Sequence, residues 1–373
     1  MKIVRIEARP LSIPLVEPFV IASGRVDSTR AALVIARIVD EATGRMSRGI
    51  GEAAALPPVT SSDQGDVLQH LRRASASLAG QTFTGHSSLQ ALLDDAIDDD
   101  PVARAGAECA LVDAWARFEE VPAHAILGSE PIGKTPSPFV LHTDITIPIA
   151  DPAHMAELAQ RWRARGFRSF KVKVGKNLDD DARALELINK LAPDCGVRLD
   201  GNEGLAARDA MTLVSIARSL DQRIECFEQP CARDDDEGMA HVTALAGCPV
   251  IADESCTHVD DVERLHHKKA ASGVNLKLAK CGGLVEAGRI GRAARRAGMK
   301  VMVGAMVETR LGLAAMAHVA RSLGHVDFVD LDTANLLKWD PFVGGYSTDD
   351  DDLSRLTLED AYGFGVAEAP PSA

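Results

Sequence analysis

Short apolar runs recur from about residue 137 onward, roughly 24–28 residues apart, and stretches of helical length separate them. The runs read FVLHTDITI, FRSFKVKV, VRLDGN, IECFEQP, PVIADES, VNLKLAK, KVMVGAM and DFVDLDT. The stretches between them are amphipathic, as in PAHMAELAQRWRARG at 152–166 and LVEAGRIGRAARRAG at 284–298. Strands that alternate with helices eight times predict a parallel (β/α)8 barrel, which right-handed crossovers would close.

The segments on either side of these repeats have a different pattern. Residues 1–125 combine two strand-like runs, KIVRIEARPLSI and RAALVIARIVD, with a helix at 101–120 that opens with proline. The last forty residues are rich in Gly and Asp. We therefore predict an α+β capping domain at 1–125, a TIM-like barrel at 126–333, and a C-terminal segment at 334–373 that returns to the capping domain.

Composition limits the kinds of partner that the chain can have. It contains 373 residues with a net charge of −13 and 46% hydrophobic residues, which is typical of a globular protein and unfavourable for binding nucleic acid or an anionic membrane. No run approaches the roughly 18 consecutive apolar residues of a membrane span. The seven cysteines are scattered without a CxxC pair, so neither disulfides nor a zinc site is indicated. We expect a cytoplasmic protein that works as a homo-oligomer on a small-molecule substrate.

Polar residues stand at the ends of the predicted barrel strands. They are Lys171 and Lys173 on strand two, Asp200 and Asn202 on three, Glu228 on four, Asp253 and Glu254 on five, Lys277 on six, and Asp330 and Asp332 on eight. From Lys173 through Asp200, Glu228 and Asp253 to Lys277 the intervals are 27, 28, 25 and 24 residues, one βα unit each. The carboxyl ends of barrel strands form the active-site mouth. Burying so many charges in one mouth would be costly without a shared task.

Three carboxylates and two lysines of this set suggest a chemistry. Asp200, Glu228 and Asp253 supply hard oxygen ligands suited to Mg²⁺, with Mn²⁺ as an alternative, and no His or Cys joins them at the spacing of a zinc site. Lys173 and Lys277 lie on strands two and six of eight, so they face each other across the barrel. Desolvation and a nearby cation lower the pKa of a lysine toward neutrality and make its amine a general base. Two opposed bases, with an enolate that the metal stabilises, would invert a carbon next to a carboxylate.

Five motifs carry these residues. They are KVK (171–173), DGN (200–202), EQP (228–230), ADES (252–255) and NLKLAKCGG (275–283). Together they resemble the enolase superfamily, in its muconate-lactonizing subgroup, over essentially the whole chain. The resemblance implies that the two lysines are the acid/base pair and that the three carboxylates bind the metal.

The resemblance also implies roles for neighbouring residues. Lys171 would hold the substrate carboxylate and help Lys173 to act as a base. Glu254 would be a partner for a lysine, and Asn202 would lie beside the ligands. Lys280, three residues beyond Lys277, is interpreted as peripheral. A site of the mandelate-racemase type would need a histidine near the end of strand seven, where residues 304–306 are Gly, Ala and Met.

Strand eight distinguishes among the activities found in this subgroup. Its DLDT places Asp330 and Asp332 on one face, two residues apart. Two carboxylates would repel the dianions muconate and succinylbenzoate and would lack a partner in an N-acylated amino acid, whereas a free ammonium explains them. Dipeptide epimerases, including the L-Ala-D/L-Glu type, have a DxD here, and TDITI (143–147), with Thr146, resembles their first barrel strand. The resemblance therefore favours an isomerase that epimerises the α-carbon of the C-terminal residue of a dipeptide.

Other interpretations stay open. An N-acylamino-acid racemase, an o-succinylbenzoate synthase and a muconate cycloisomerase are alternatives in the same subgroup. From other classes, a Schiff-base lyase would use Lys277 as a covalent nucleophile, and a metabolite-binding protein would exchange no α-proton. We expect the loops at 19–28 and 53–62 to select the side chains of the dipeptide. Arg25 resembles the arginine that Ala-Glu epimerases use for an acidic side chain, and an apolar or other dipeptide is the alternative.

Overall fold

The computed structural model describes residues 1–97, 99–128 and 138–370. The chain begins with an antiparallel sheet in the order β1–β4–β5 and a hairpin of β2 and β3. The strands are β1 (Lys2–Leu11), β2 (Pro14–Ile21), β3 (Gly24–Ser28), β4 (Arg30–Val39) and β5 (Met46–Ala55). The helices α1 (Gln64–Leu78), α2 (His86–Ala96), α3 (Pro101–Glu119) and α4 (Ala123–Leu127) follow, and then strand β6 (Phe139–His142).

Helix α3 lies very close to β5 because both elements are built from small residues. A Cβ atom added at Gly49 would lie 2.2 Å from the backbone nitrogen of Ala114, and one at Gly51 would lie 2.5 Å from the carbonyl oxygen of Gly106. The helix begins at a proline, and the side chain of Asp100 caps it by accepting a hydrogen bond from the backbone N–H of Ala103 in the first turn. A larger residue at either glycine of β5 would push the helix away from the sheet.

A parallel sheet of eight strands in sequence order forms the middle of the described chain. Its strands are β7 (Ile145–Ile147), β8 (Ser169–Lys173), β9 (Gly196–Asp200), β10 (Ile224–Glu228), β11 (Val250–Ala252), β12 (Gly273–Leu276), β13 (Lys300–Gly304) and β14 (Phe328–Asp330). The helices between them are α5 (Pro152–Arg163), α6 (Leu178–Leu191), α7 (Ala207–Ser219), α8 (Asp236–Leu245), α9 (Val259–Lys268), α10 (Leu278–Cys281), α11 (Leu284–Arg296) and α12 (Arg310–Leu323). The predicted barrel with a capping domain is confirmed.

The C-terminal segment contacts the capping domain. Its strands are β15 (Phe342–Gly344), β16 (Tyr346–Asp349), β17 (Asp352–Leu358) and β18 (Val366–Glu368). The buried carboxylate of Asp113, on α3, accepts one hydrogen bond from the backbone N–H of Ile50 at 2.9 Å and another from that of Phe364 at 2.8 Å. One side chain therefore joins helix α3, strand β5 and the C-terminal segment.

Both ends of the repeat differ in detail from the prediction. The first apolar run divides, because β6 pairs with β17 in a separate antiparallel sheet and residues 145–147 alone enter the barrel. After β14 the chain forms a 3₁₀ turn, Thr333–Leu336, where an eighth helix was predicted. The domain boundaries near residues 126 and 333 stay a prediction, and residues 129–137, beside the first boundary, lie outside the described ranges.

An apolar cluster fills one side of the barrel interior below the polar strand ends. Cys226, Ile251 and Met302 form this buried cluster, against which Phe328 packs. Arg198, the register partner of Cys226, is charged, so the apolar layer covers only part of the barrel. None of the helices in the described ranges is long and apolar enough to cross a membrane. All seven cysteines, each in a described range, are free thiols, as expected.

Two buried histidines meet where α4 packs against α12. The Nδ1 atoms of His124 and His318 are 3.1 Å apart, and their rings stack with centroids 5.3 Å apart. Burial lowers the pKa of His318 to about 3 and that of His124 to about 4. Both rings are therefore neutral in the folded protein at neutral pH, whereas a histidine in the unfolded chain titrates near pH ~6.5.

The histidine pair predicts how stability depends on pH. Between about pH 6.5 and pH 4 the unfolded chain binds more protons than the folded chain, so the free energy of unfolding should fall as the pH decreases, by at most ~1.4 kcal/mol per pH unit for each ring. In His318→Met the unfolding midpoint, followed by circular dichroism, should depend less on pH in this range. The exposed control His267→Gln should keep the wild-type slope. Equal slopes in all three proteins would contradict a neutral buried pair.

Candidate active site

The polar strand ends converge on one cavity between the barrel mouth and the capping domain. From the barrel it is lined by Thr146, Lys171, Lys173, Asn202, Lys277, Ala305, Met306, Asp330 and Thr333. From the capping domain it is lined by Phe19, Ile21, Leu56 and Val59, all of which lie within the segments 19–28 and 53–62. The barrel therefore supplies the charges of this cavity, and the capping domain supplies an apolar cover.

Lys171 lies at the centre of the buried charges. Its Nζ atom is 2.7 Å from Asp330, 2.8 Å from Glu228 and 3.1 Å from Asp200. Lys171 and Lys173 share the inward face of β8 because side chains two residues apart in a strand point the same way. Burial disfavours the charge on Lys171, but the surrounding carboxylates outweigh that effect and raise its pKa well above the usual value. Lys171 is therefore a permanent cation in this site.

Asp200, Glu228 and Asp253 come from three neighbouring strands. Asp200 and Glu228 are register partners at the ends of β9 and β10, and Asp253 directly follows β11. Burial raises the pKa of Glu228, and repulsion from Asp200 adds to the effect. The Oε2 atom of Glu228 pairs with Nζ of Lys171 at 2.8 Å, but that ammonium is shared with Asp200 and Asp330. A divalent cation would relieve the repulsion among the three acids, so the three side chains fit a magnesium site.

A second acidic cluster is more compact. Carboxylate oxygens of Asp144, Asp330 and Asp332 lie within 4.8 Å of one another, and no other group of three potential metal ligands in the described ranges is as close. Lys171 contacts Asp330 at 2.7 Å, and Nη1 of Arg198 contacts Asp144 at 2.8 Å. These two cations balance two of the three negative charges. The charge that remains suits a single monovalent cation better than Mg²⁺.

Asp332 is the acid of this cluster that has no cationic partner among the described residues. Its Oδ2 atom accepts a hydrogen bond from the backbone N–H of Thr146 at 2.6 Å, and its Oδ1 atom accepts none within the described residues. It makes no side-chain cap to the 3₁₀ turn that follows, all of which is described. Burial and the charge of Asp330 raise the pKa of Asp332 to about 6. Asp332 is therefore ionised at neutral pH but needs a positive partner.

The two predicted bases each pair with a different carboxylate. Nζ of Lys173 is 2.6 Å from Asp200, and Nζ of Lys277 is 2.7 Å from Asp253. Lys173 ends β8 and Lys277 directly follows β12, four strands away in the barrel, so the two amines face each other. The predicted lowering of the pKa is not found at Lys277: burial lowers it, but Asp253 and other carboxylates outweigh burial and raise it. Those carboxylates are the predicted metal ligands, whose charge a bound divalent cation would counter.

Sequence reasoning missed two residues that hold the predicted ligands. The interpretation of Lys280 as peripheral is wrong, because its Nζ atom lies 2.7 Å from Asp253 after helix α10 turns the chain back. Asn275 donates a hydrogen bond from Nδ2 to Glu228 at 2.9 Å. The strand period could have found Asn275, which stands two residues before Lys277 and therefore on its face.

The loops after β9 and β10 adopt left-handed backbone conformations at non-glycine residues. Asn202 has φ 39° and Gln229 has φ 30°. The Oε1 atom of Gln229 accepts hydrogen bonds from the backbone N–H of Asp253 at 2.9 Å and of Ser255 at 3.1 Å. The Nδ2 atom of Asn202 lies 3.3 Å from Glu254, so the structure pairs that acid with an amide rather than with a lysine. Such strained conformations cluster at functional sites, and here they fix the loop that carries Asp253.

Arg25 is the residue predicted for the site that the structure does not bring into the cluster. The structure describes all of the predicted site residues. Apart from Arg25, each of them lines the cavity or contacts a residue that lines it. The side chain of Arg25 is 60% exposed and pairs with Asp27 at 3.0 Å on the hairpin. Its contact with a substrate stays a prediction.

Comparison with known protein families identifies the class of this barrel. Residues 154–369 match the family described as enolase C-terminal domain-like, and residues 5–128 match the N-terminal domain of mandelate racemase and muconate lactonizing enzyme. The chain belongs to the enolase superfamily. The resemblance that the five motifs suggested is confirmed.

Several relatives of this superfamily member have names that specify an activity. The L-Ala-D/L-amino acid epimerase of Populus trichocarpa is 38% identical over 348 residues, which are 92% of this chain and 80% of that protein. The aromatic dipeptide epimerase of Herpetosiphon aurantiacus is 35% identical over 362 residues, 97% of each chain. The solved structure of a dipeptide epimerase from Enterococcus faecalis V583, complexed with Mg and the dipeptide L-Leu-L-Tyr, has a TM-score of 0.88 at 29% identity and covers 98% of this chain and 100% of that one.

The two acidic clusters of this enolase superfamily member predict where Mg²⁺ binds. Glu228→Gln removes one of three charged ligands and should weaken Mg²⁺ binding, measured by isothermal titration calorimetry, by about tenfold or more. Asp332→Asn, in the more compact cluster, is the matched control and should bind Mg²⁺ with wild-type affinity. If Asp332→Asn loses the metal and Glu228→Gln keeps it, the metal belongs to the other cluster.

Proposed function

We propose that this enolase superfamily member is a Mg²⁺-dependent dipeptide epimerase that inverts the α-carbon of the C-terminal residue of its substrate. The observation that carries the proposal is a cavity lined by two opposed lysines and by Asp330, with Asp332 next to Asp330 in the second acidic cluster. The relatives reported above support it, because their names describe epimerases of dipeptides.

The distribution of charge in the cavity gives the substrate one orientation. A dipeptide has a carboxylate at one end and an ammonium at the other. Lys171 would bind the carboxylate, and Asp330 and Asp332 would bind the ammonium. The carbon next to the carboxylate then lies between Lys173 and Lys277, and the ammonium lies one residue farther, toward β14.

The chain holds and protects the reacting centre from several sides. Asp200, Glu228 and Asp253 would hold Mg²⁺, which when bound supplies positive charge where negative charge develops on the substrate carboxylate. Lys173 and Lys277 are 5% and 4% exposed, and the capping side chains close the mouth above them. Water is therefore kept away from the two amines, which strengthens electrostatic interactions at the site.

The two lysines would transfer the proton. In one direction the neutral amine of Lys173 takes the α-proton, and the ammonium of Lys277 delivers a proton to the opposite face of the carbon. Lys173 then carries the proton and Lys277 is neutral, which is the state that the reverse reaction needs. Asp200 and Asp253, each paired with one lysine, orient the amines toward the substrate.

The other candidate activities use this arrangement less completely. Muconate and succinylbenzoate are dianions, which Asp330 and Asp332 would repel, and an N-acylated amino acid offers these acids no cation. A Schiff-base lyase would need Lys277 alone and would leave the three carboxylates at the neighbouring strand ends without a task. A metabolite-binding protein would have no use for a second lysine opposite the first.

The capping side of the cavity supports an apolar side chain on the reacting residue over an acidic one. Phe19, Ile21, Leu56 and Val59 line this side, and an acidic side chain would be buried against them without a partner. Arg25, the predicted partner of an acidic side chain, is exposed and paired with Asp27.

Mn²⁺ is proposed as an alternative metal because it accepts the same oxygen ligands. A cytoplasmic homo-oligomer stays a prediction.

The two opposed lysines predict that a variant lacking one of them still removes the α-proton from one face of the carbon. Lys173→Ala and Lys277→Ala should each abolish epimerisation, yet each should still exchange the α-proton with solvent from one epimer of the dipeptide, because one base survives. Incubation in D₂O followed by chiral separation and mass spectrometry measures both. Lys176→Ala, an exposed lysine of the same segment, is the control and should behave as wild type. Normal epimerisation by Lys277→Ala would refute the two-base assignment.

The paired acids Asp330 and Asp332, at the end of β14 and just after it, predict a coupling between enzyme and substrate. Asp330→Asn and Asp332→Asn should each weaken use of the free dipeptide by ~1.5–3 kcal/mol, or about ten- to a hundredfold in kcat/KM, because each removes a charge-assisted hydrogen bond to the ammonium. N-acetylation of the dipeptide should do similar damage to the wild-type enzyme. The penalty for N-acetylation should shrink in both variants, since the partner of the lost charge is already absent.

Two measurements accompany this comparison. Asp350→Asn, an exposed acid in the C-terminal segment, should leave both substrates unaffected. If the unmodified enzyme processes N-acyl amino acids or succinylbenzoate precursors better than free dipeptides, the paired acids have another role, and a racemase or synthase replaces the epimerase.

A further inference from the structure

Arg198 is a buried cation that the proposed chemistry does not use. It lies on β9, two residues before Asp200 and on the same inward face, and is 6% exposed. Its Nη1 atom donates hydrogen bonds to Oδ2 of Asp144 at 2.8 Å and to the carbonyl oxygen of Val329 at 2.7 Å. Its Nε atom donates to Glu225 on β10 at 2.9 Å. One guanidinium group thus joins the middle of the barrel to both of its end strands.

These bonds reach the seam between β7 and β14. The two strands, both fully described, are the ends of the sheet and share no ladder of backbone hydrogen bonds. In its place the backbone N–H of Asp144 donates to the carbonyl oxygen of Val329 at 3.2 Å. Arg198 donates to that same carbonyl oxygen and to the side chain of Asp144, so it holds both sides of the seam. Val329 directly precedes Asp330, the first acid of the proposed ammonium site.

Asp144 is also connected to the second acid of the site. Thr146, two residues beyond Asp144, donates its backbone N–H to Asp332 at 2.6 Å. Oxygens of Asp144, Asp330 and Asp332 lie within 4.8 Å of one another, so their negative charges repel. Oδ1 of Asp144 and Oδ1 of Asp332 accept no hydrogen bond in the part of the chain that the structure describes. Arg198 offsets the charge of Asp144 and leaves the rest of the cluster to attract a cation.

We infer that Arg198 and Asp144 are positioning residues for the substrate ammonium: together they hold the β7–β14 seam and set the distance at which Asp330 and Asp332 meet it. Since the ammonium site belongs to the proposed function, the inference rests on that function. The residues act through β14, and the proton transfer takes place at the other end of the substrate. Loss of either should therefore raise KM for an ammonium-bearing substrate and leave kcat nearly unchanged.

Steady-state kinetics with L-Ala-L-Phe and with its N-acetyl derivative tests the inference. Arg198→Met and Asp144→Asn should each raise KM for the free dipeptide by about tenfold or more, the usual effect of weakening a charge-assisted contact. KM for the N-acetyl derivative, and kcat for both substrates, should change by less than about twofold. The double variant should be no worse than either single variant, because the two residues act as one unit.

Two further variants separate positioning from general support of the barrel. Glu225→Gln removes the other carboxylate partner of Arg198, on the side away from β14, and should leave both KM values within about twofold of wild type. Arg198→Lys keeps a cation in the barrel and replaces Arg198→Met if that variant does not fold. Lysine lacks the rigid fork that reaches Asp144 and Val329 together, so KM for the free dipeptide should still rise selectively.

The inference would be overturned if KM rose equally for both substrates in Arg198→Lys and Asp144→Asn. A rise in KM of the same size in Glu225→Gln would also overturn it. The pair would then be an ion pair that supports the barrel alone. The wild-type enzyme tests the proposed function separately. If it processes the N-acetyl derivative better than the free dipeptide, the ammonium site is refuted whatever the variants do, and the inference falls with it.

Discussion

The ion pairs between lysines and carboxylates inside the barrel are the interactions on which the rest of the structure depends. Lys171 alone contacts carboxylates from three strands, Lys173 shares one of these, Asp200, and Lys277 pairs with a fourth, Asp253. Removing one member leaves its partners buried and uncompensated, which typically costs ~3–5 kcal/mol. Apolar residues could often replace such a network without loss of stability. Its position at the strand ends, where barrels have their active sites, fits the binding and proton transfer that we propose for it.

The fold surrounds these charges with apolar structure and closes the barrel with charged contacts. Cys226, Ile251 and Met302 form an apolar cluster below part of the charged layer, and the capping loops cover the mouth. The capping domain stays in place because α3 packs closely on β5 and because Asp113 binds the C-terminal segment. Side chains, rather than a strand ladder, join β7 to β14. The acids of the proposed ammonium site therefore lie beside the two sheet ends that no backbone ladder joins.

Much of this arrangement could be predicted from the sequence because a βα unit has a nearly constant length. Each interval in the series from Lys173 to Lys277 is one such unit, so the spacing alone predicts that these side chains lie at one depth. Contacts that cross the barrel, such as that of Arg198 with Asp144, have no sequence period and could not be found this way. The turn that returns Lys280 to Asp253 and the division of the first apolar run depend on local backbone geometry and on pairing with a distant strand. The pKa of Lys277 depends on how many carboxylates surround it, which the sequence does not specify.

The central claim is that a free dipeptide loses and regains the proton on its C-terminal α-carbon in this site. Incubation of a dipeptide library with the enzyme and Mg²⁺ in D₂O, read by mass spectrometry, tests it most directly. The account predicts that free dipeptides, foremost those with an apolar C-terminal residue, gain one deuterium at that α-carbon and become mixtures of two epimers. The absence of deuterium from every free dipeptide, together with its uptake by N-acylated amino acids in a parallel library, would contradict it.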